Sequence, residues 1–253
     1  GLLISPTGIF TLRSLGAGLT FWILSLFLPA EKVEKKDYLK ILAAAFLGYF
    51  VTQLTFLVAI PDVTPMHCSI ISSMSPIYTM FIAAIVLKEP LSWTKAGGVA
   101  LSLCGILFLI FNNASGTSGV SESKLSGIFL MFLNSLSFSL YLGIFKPVIA
   151  KYSVVTFMKW IFLFSALMSL PLSLREIVSL EWTKIPSVQM WELGFLIVFA
   201  TFVSYFLIPF GQKRIRPTLV SMYSYIQPII ATIISIILCM DILTWQKLLA
   251  ALM

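Results

Sequence analysis

The sequence predicts an all-α integral membrane protein built from two inverted five-helix repeats. Three observations predict it: an apolar composition, a series of helix-length apolar runs, and a gapless internal match at a shift of 152 residues.

Composition comes first. Of 253 residues, 59% are hydrophobic and 11% charged, and mean hydropathy is +1.00. Soluble domains are about half apolar and about a quarter charged. A chain this apolar cannot cover a soluble surface with polar side chains, so lipid must cover part of it. The 21 Phe, 8 Tyr and 6 Trp exclude disorder. The net charge of +7 does not signal nucleic acid, because the 17 Lys and Arg are scattered singly between apolar runs. Cys68, Cys104 and Cys239 are far apart and odd in number, and read as small apolar residues. With a single histidine they make no metal site, and no cofactor is expected.

The runs come second. A bilayer needs about 20 apolar residues as helix. Eight spans fall near 6–29, 39–60, 65–87, 95–111, 125–147, 154–174, 189–210 and 217–240, and a ninth starts near Trp245. If the loop after the first span is cytoplasmic, that side collects twelve Lys and Arg against five, which fits the positive-inside rule. The outer 112–124 loop carries a glycosylation sequon at Asn113. The expected setting is a multi-pass protein of the cell inner (plasma) membrane.

The repeat comes third. Shifting 65–95 by 152 pairs Pro65 with Pro217, Ser72 with Ser224, Ser75 with Gln227, Pro76 with Pro228, Glu89 with Asp241, Trp93 with Trp245 and Lys95 with Lys247. Apolar bias does not supply matched Pro, Trp, Lys and acid residues. The shift divides the chain into a first repeat at 1–112, an outer linker at 113–124 and a second repeat at 125–253. It also leaves the 125–147 span without an earlier counterpart and the last span short, so the expected unit is a ten-helix one lacking here its first helix and most of its last. An odd number of spans inverts the second copy, which is the architecture of secondary transporters and a basis for alternating access.

The run Leu87-Lys88-Glu89-Pro90-Leu91-Ser92-Trp93-Thr94-Lys95, with Gly97, Gly98 and Gly105 behind it, resembles the EamA-type drug/metabolite transporter superfamily. Ser5-Pro6 with Arg13 resembles that family's second helix. The resemblance implies two inverted five-helix halves around a central cavity. It also implies transport, often export, of small organic metabolites or amino-acid-like solutes, with a proton as candidate coupling ion. Asp241 in place of the usual Glu is a departure from the pattern. The alternative, an integral membrane lipid-modifying enzyme, would need clustered His, Asp or Glu at one face, and the chain has no such motif.

Several residues inside the spans are candidate site residues. Ser72, Ser75, Ser224 and Gln227 precede the two mid-span prolines and are expected to line the cavity, since unpaired polar groups avoid lipid. Gln53, Asn134, Ser137, Tyr141, Tyr205 and Tyr223 are expected neighbours. Asn134, Ser137 and Tyr141 share one helical face. Pro76 and Pro228 are candidate helix breaks. Glu89 and Asp241 are hinge or capping acids before Ser92 and Thr244. His67 is either a wet interfacial side chain or a proton relay. Arg13 lies two turns into its helix, where a cation must snorkel, pack against a partner or recognise an anion.

Overall fold

The computed structural model describes residues 4–63, 68, 71–88, 93–94, 96–101, 104, 124–180, 185–223, 225–226 and 230. Among the described residues there are helices and turns and no strand. Among the described residues, five helices are long and apolar enough to cross a membrane: Pro6–Leu26, Lys35–Asp62, Leu125–Ile144, Val154–Ser179 and Ser187–Arg214. The all-α membrane fold read from the sequence is therefore the fold observed. The spans expected at 95–111 and beyond 223 lie largely outside the described residues.

Helix α1 is Pro6–Leu26. It starts where Ser5 accepts the Gly8 N–H on its hydroxyl at 3.1 Å, with Pro6 in the first turn. Next come α2, Lys35–Ala45, a wide π turn at Phe46–Val51, and α3, Thr52–Ala59. Helix α4 is Ser75–Leu87, α5 Leu125–Ile144, α6 Lys146–Lys151 and α7 Val154–Ser179. Helix α8 is Ser187–Ile197, followed by a second π turn at Val198–Val203, α9 at Ser204–Arg214 and α10 at Pro217–Ser221.

Two details differ from the sequence reading. Helix α7 runs to Ser179, one turn past the span expected to close at 174. The added turn is tied down: the Glu176 carboxylate accepts the Ser5 N–H at 2.7 Å and the Ser5 hydroxyl. The spacer after α5 contains the short helix α6, with Pro147 in its first turn.

The two π turns carry the repeat into the backbone. Helix α2, its π turn and the start of α3 span 35, 46 and 52; α8, its π turn and α9 start at 187, 198 and 204. Each pair differs by 152, the shift found in the sequence between other residues. Even the side-chain bonds match. Thr52 donates to the Leu47 carbonyl at 2.7 Å, and Ser204 donates to that of Phe199 at 3.0 Å.

The chain forms two compact units, each taking helices from both sequence repeats. Unit one holds 1–57 and 145–215, and unit two holds 58–144 and 216–253. Spatial units and sequence repeats are thus different cuts of the same chain.

In unit one, α1 lies along α7. Gly18 permits the approach, since a Cβ there would sit 3.3 Å from the Phe162 Cβ. Ser173 donates to the Thr11 hydroxyl at 2.6 Å, and Phe21 stacks on Phe162 with centroids 5.4 Å apart. Small residues and hydroxyl bonds are what helix association in lipid uses, since lipid removes the hydrophobic drive between helices. In unit two, Gly143 meets Ile82, whose Cγ2 would lie 2.5 Å from an added Cβ. Any larger residue there would part α5 from α4. Ser139 donates to the Ser75 carbonyl at 3.1 Å across the same contact.

The loops assigned to one side by the charge count meet each other. Lys124 pairs with Asp62 at 2.7 Å, both on the expected outer side. Glu31, Glu34, Asp37, Lys151, Tyr152 and Lys213 form one cluster on the expected cytoplasmic side. Outward-facing Leu19, Leu26, Ile85 and Trp191 are exposed as a lipid-facing surface requires.

Candidate functional site

Polar groups inside apolar helices mark a site by default, because lipid gives them no partner. The described candidates fall into the two units separately.

Unit one holds Gln53, Tyr205 and Arg13. Gln53 on α3 donates to the Tyr205 hydroxyl on α9 at 3.0 Å. These residues are 152 apart, so two equivalent positions of the repeat bond to each other. Tyr49, in the first π turn, meets Tyr205 edge-on at 4.9 Å. The Tyr49 ring also packs on Phe10 at 5.4 Å and on Phe162 at 4.7 Å. Phe10 and Phe162 are again 152 apart. Each such ring pair is worth about 0.5–1.5 kcal/mol beyond burial.

Arg13 does not snorkel. It is 8% exposed, and its Nε donates to the Thr201 hydroxyl in the second π turn at 2.8 Å. Thr201 is the repeat equivalent of Tyr49. Helix α1 therefore reaches the first π turn through Phe10 and the second through Arg13. Lys159, on α7, sits over the Trp22 ring at 5.0 Å.

Unit two holds Ser72, Ser75, Pro76, Asn134, Ser137, Tyr141 and Tyr223. A turn at Met74 interrupts the apolar helix Ile71–Leu87, and Pro76 occupies the first turn of the helix that restarts at Ser75. Pro suits that position because its missing N–H would be unpaired there anyway. Ser75 is buried and Ser72 half-buried. Ser137 and Tyr141 are buried on α5, Asn134 is half-buried, and Tyr223 is exposed. Lys88 closes α4 in the left-handed region, at φ 52°, with its N–H on the Ala83 carbonyl. Ser224, Gln227, Pro228, Glu89, Asp241, His67 and Asn113 lie outside the described residues.

Sequence reading missed Phe10, Phe162, Tyr49 and Thr201. The signal was present: the 152 shift, applied upstream of residue 65, pairs Phe10 with Phe162 and Gln53 with Tyr205. It also missed a cluster at one end of unit one. Asp37, 1% exposed, accepts from Lys40 at 2.9 Å, Lys151 at 2.6 Å and Tyr152 at 2.7 Å. Lys151 also pairs with Glu34, and Lys213 donates to the Tyr152 carbonyl. Hydrogen bonding to Asp37, then to Glu34, holds the Lys151 ammonium above the ordinary lysine range. The bond from Lys151, then that from Lys36, holds Glu34 below the ordinary carboxylate range. Asp37 has no acidic equivalent in the other repeat, where Gln189 stands, so a search for matched residues passes over it.

The chain is similar to known proteins. The model of the EamA-like transporter family matches residues 3–111 and 125–253. YetK of Bacillus subtilis (strain 168), described as an uncharacterized transporter, is 23% identical over 87% of this chain and 69% of its own length. YdfC of the same organism, also described as an uncharacterized transporter, is 24% identical over 91% of this chain and 73% of its own. A thiamine-repressible mitochondrial transport protein of Saccharomyces cerevisiae is 27% identical over 64% of this chain, which spans 45% of that relative. A solved crystal structure superposes with a TM-score of 0.80 over 98% of this chain and 85% of the other, at 15% identity, a likeness of fold.

Proposed function

The chain belongs to the EamA-like transporter family, and from that premise we propose that it is a secondary transporter that moves small organic metabolites or amino-acid-like solutes by alternating access. Family membership makes it a multi-pass membrane transporter rather than a lipid-modifying enzyme. The finer reading is export across the cell inner membrane, with the proton as coupling ion.

One observation carries the reading: the hydrogen bond between Gln53 and Tyr205, residues equivalent under the 152 shift. A two-fold rotation that exchanges two positions leaves each at the same distance from the axis. A direct bond between them therefore crosses that axis. Inverted repeats related in this way can exchange conformations, each half adopting the shape the other had, which opens the molecule first to one side and then to the other. The coincident π turns support this, since wide turns inside helices are frequent at functional sites and provide places to bend. On this reading Ser72, Ser75, Asn134, Ser137, Tyr141, Tyr223, Ser224 and Gln227 are the solute-path residues of unit two, and Gln53 and Tyr205 those of unit one. Pro76 and Pro228 set the breaks, and Glu89 and Asp241 cap the moving helix ends.

The test is solute uptake into proteoliposomes carrying the protein, with no ATP, across a panel of labelled amino acids and other small metabolites. A transporter gives saturable, counterflow-competent uptake of at least one solute, and proton coupling makes it follow an imposed pH gradient. Absence of uptake and counterflow for every solute, in vesicles shown to be sealed and to hold folded protein, overturns the proposal.

A further inference from the structure

Arg13 is a buried cation within a described span and has no ion pair among the described residues. A guanidinium has five N–H donors in a fixed fork. In Arg13 the Nε hydrogen is taken by Thr201 at 2.8 Å, and among the described residues no carboxylate lies within ion-pair distance. The described carboxylates of unit one are engaged or remote. Glu176 is held by Ser5, Glu31 by the Ser153 N–H, and Glu34 and Asp37 by lysines. Glu192 is exposed. A cation in a span with neither counter-charge nor exposure is expensive to keep.

Packing does not require an arginine at this position. The repeat equivalent of Arg13 is Ser165, a small side chain that is fully buried. Both residues stand one helical turn after a phenylalanine that touches the Tyr49 ring, Phe10 in one repeat and Phe162 in the other. Two further polar groups in this part of unit one are buried hydroxyls: that of Ser165, without a hydrogen-bond partner among the described residues, and that of Tyr49, beside Ser14. Tyr49 is 1% exposed. Buried donors beside an uncompensated guanidinium are the components of an oxyanion site.

We propose that Arg13, with its Nε anchored on Thr201, binds the oxyanion group of a small organic anion, a carboxylate or a phosphate monoester. The Thr201 bond fixes the plane of the guanidinium and leaves its two terminal nitrogens for a bidentate partner, the arrangement in which arginine and lysine are not interchangeable. The proposal rests on the transporter reading for what the anion is for. A binding measurement without a gradient keeps the two apart: uptake can fail while anion binding stands, and anion binding can fail while uptake of neutral solutes stands.

The experiment uses the protein in phosphatidylcholine nanodiscs, titrated calorimetrically with phenylacetate, phenyl phosphate and the neutral isostere phenylacetamide. The expected result is saturable binding of at least one anion and none of the amide. Preference between the two anions tells carboxylate from phosphate. Arg13→Gln should weaken anion binding by about tenfold or more, the scale of a lost charge-assisted pair. Arg13→Lys should keep the preference for anions with reduced affinity, because the charge remains and the fork is lost. Equal binding of phenylacetamide, binding of neither anion, or undiminished anion affinity in Arg13→Gln overturns the proposal. If Arg13→Gln does not fold, Arg13→Lys decides: reduced affinity supports the site, and unchanged affinity overturns it.

Discussion

Residues 35–62 and 187–214 share the order of helix, π turn and helix at a shift of 152, and they are anchored in different ways. Their helices and π turns begin at equivalent residues. Yet the first begins at Asp37, buried and bonded to Lys40, Lys151 and Tyr152. The second begins with half-buried Gln189 and fully exposed Trp191 and Glu192. The difference teaches that the repeat preserves where helices start and bend, while the side chains that hold the ends have diverged. On the proposed alternating-access reading, exchange between halves needs the former and gains a bias from the latter. A charge network at one end favours whichever state it forms in.

The largest test of this contrast is Asp37→Ala against Gln189→Ala. Removing Asp37 leaves Lys151 and the buried Tyr152 hydroxyl without their shared acceptor. The expected loss is the largest of the set, tempered because Lys40 and Lys151 are partly exposed. Gln189→Ala should stay within about 0.5 kcal/mol, as for surface substitutions. Thermal unfolding in one detergent measures both. Equal losses would mean that the two ends are anchored alike.

Next in size is the bond joining the two regions. Gln53→Leu and Tyr205→Phe each remove one partner of the 3.0 Å contact. Each should cost about 1 kcal/mol, and a double-mutant cycle should return a coupling of about 0.6 kcal/mol, the typical value for such bonds in membranes. Solute affinity should change in both variants if the pair lines the path. A coupling of zero would remove the bond as a link between the repeats.

The charge network also sets a pH window. Glu34 is depressed below the ordinary value of 4.5, so its contribution is present above that value and disappears as pH falls through the folded one. Lys151 is raised above 10.5, so its contribution is present below that value and disappears as pH rises through the folded one. Thermal stability should therefore be flat between about pH 5 and 10 as far as this pair decides it. Asp37→Ala should lower stability across the plateau and shrink the alkaline loss, because the Lys151 pKa moves back toward its unfolded value. An alkaline loss unchanged in that variant would detach Lys151 from Asp37.

Much of the fold was legible, and for physical reasons. Lipid forces apolar runs of fixed length, so the helices at 6–26 and 125–144 could be read from hydropathy alone. The shift of 152 was legible because Pro, Trp and acids mark turns that cannot be replaced at random. The candidate site was less so. Polar residues at Ser72, Ser75 and Gln53 stand out in an apolar run, but Phe10, Tyr49 and Phe162 do not stand out among 35 aromatic residues. What singles them out is mutual contact, which only the tertiary structure supplies. The Asp37 cluster stayed hidden for a related reason. Its partners at 151 and 152 lie more than a hundred residues away, and a charged helix start reads as an ordinary solvated turn.

The smallest effect tests the comparison most finely. A π turn widens the helix, so the local carbonyls lose their usual partners, and a hydroxyl five residues on can take one. Thr52 does this for Leu47 and Ser204 for Phe199. Thr52→Val keeps the side-chain volume and removes the hydroxyl; Ser204→Ala removes the hydroxyl and leaves only a methyl. Both should cost a fraction of about 1 kcal/mol, the net worth of one hydrogen bond. Thr52→Val should cost more, because Thr52 is buried while Ser204 is only half-buried, so water can replace the lost donor more readily in the second repeat. Unfolding midpoints of the two variants decide the order. Hydrogen exchange at the backbone amides of the π turns then shows whether each turn loosens when its hydroxyl goes. If Ser204→Ala loosens its turn more than Thr52→Val does, burial does not govern these bonds, and the two regions differ in backbone strain rather than only in how their ends are held.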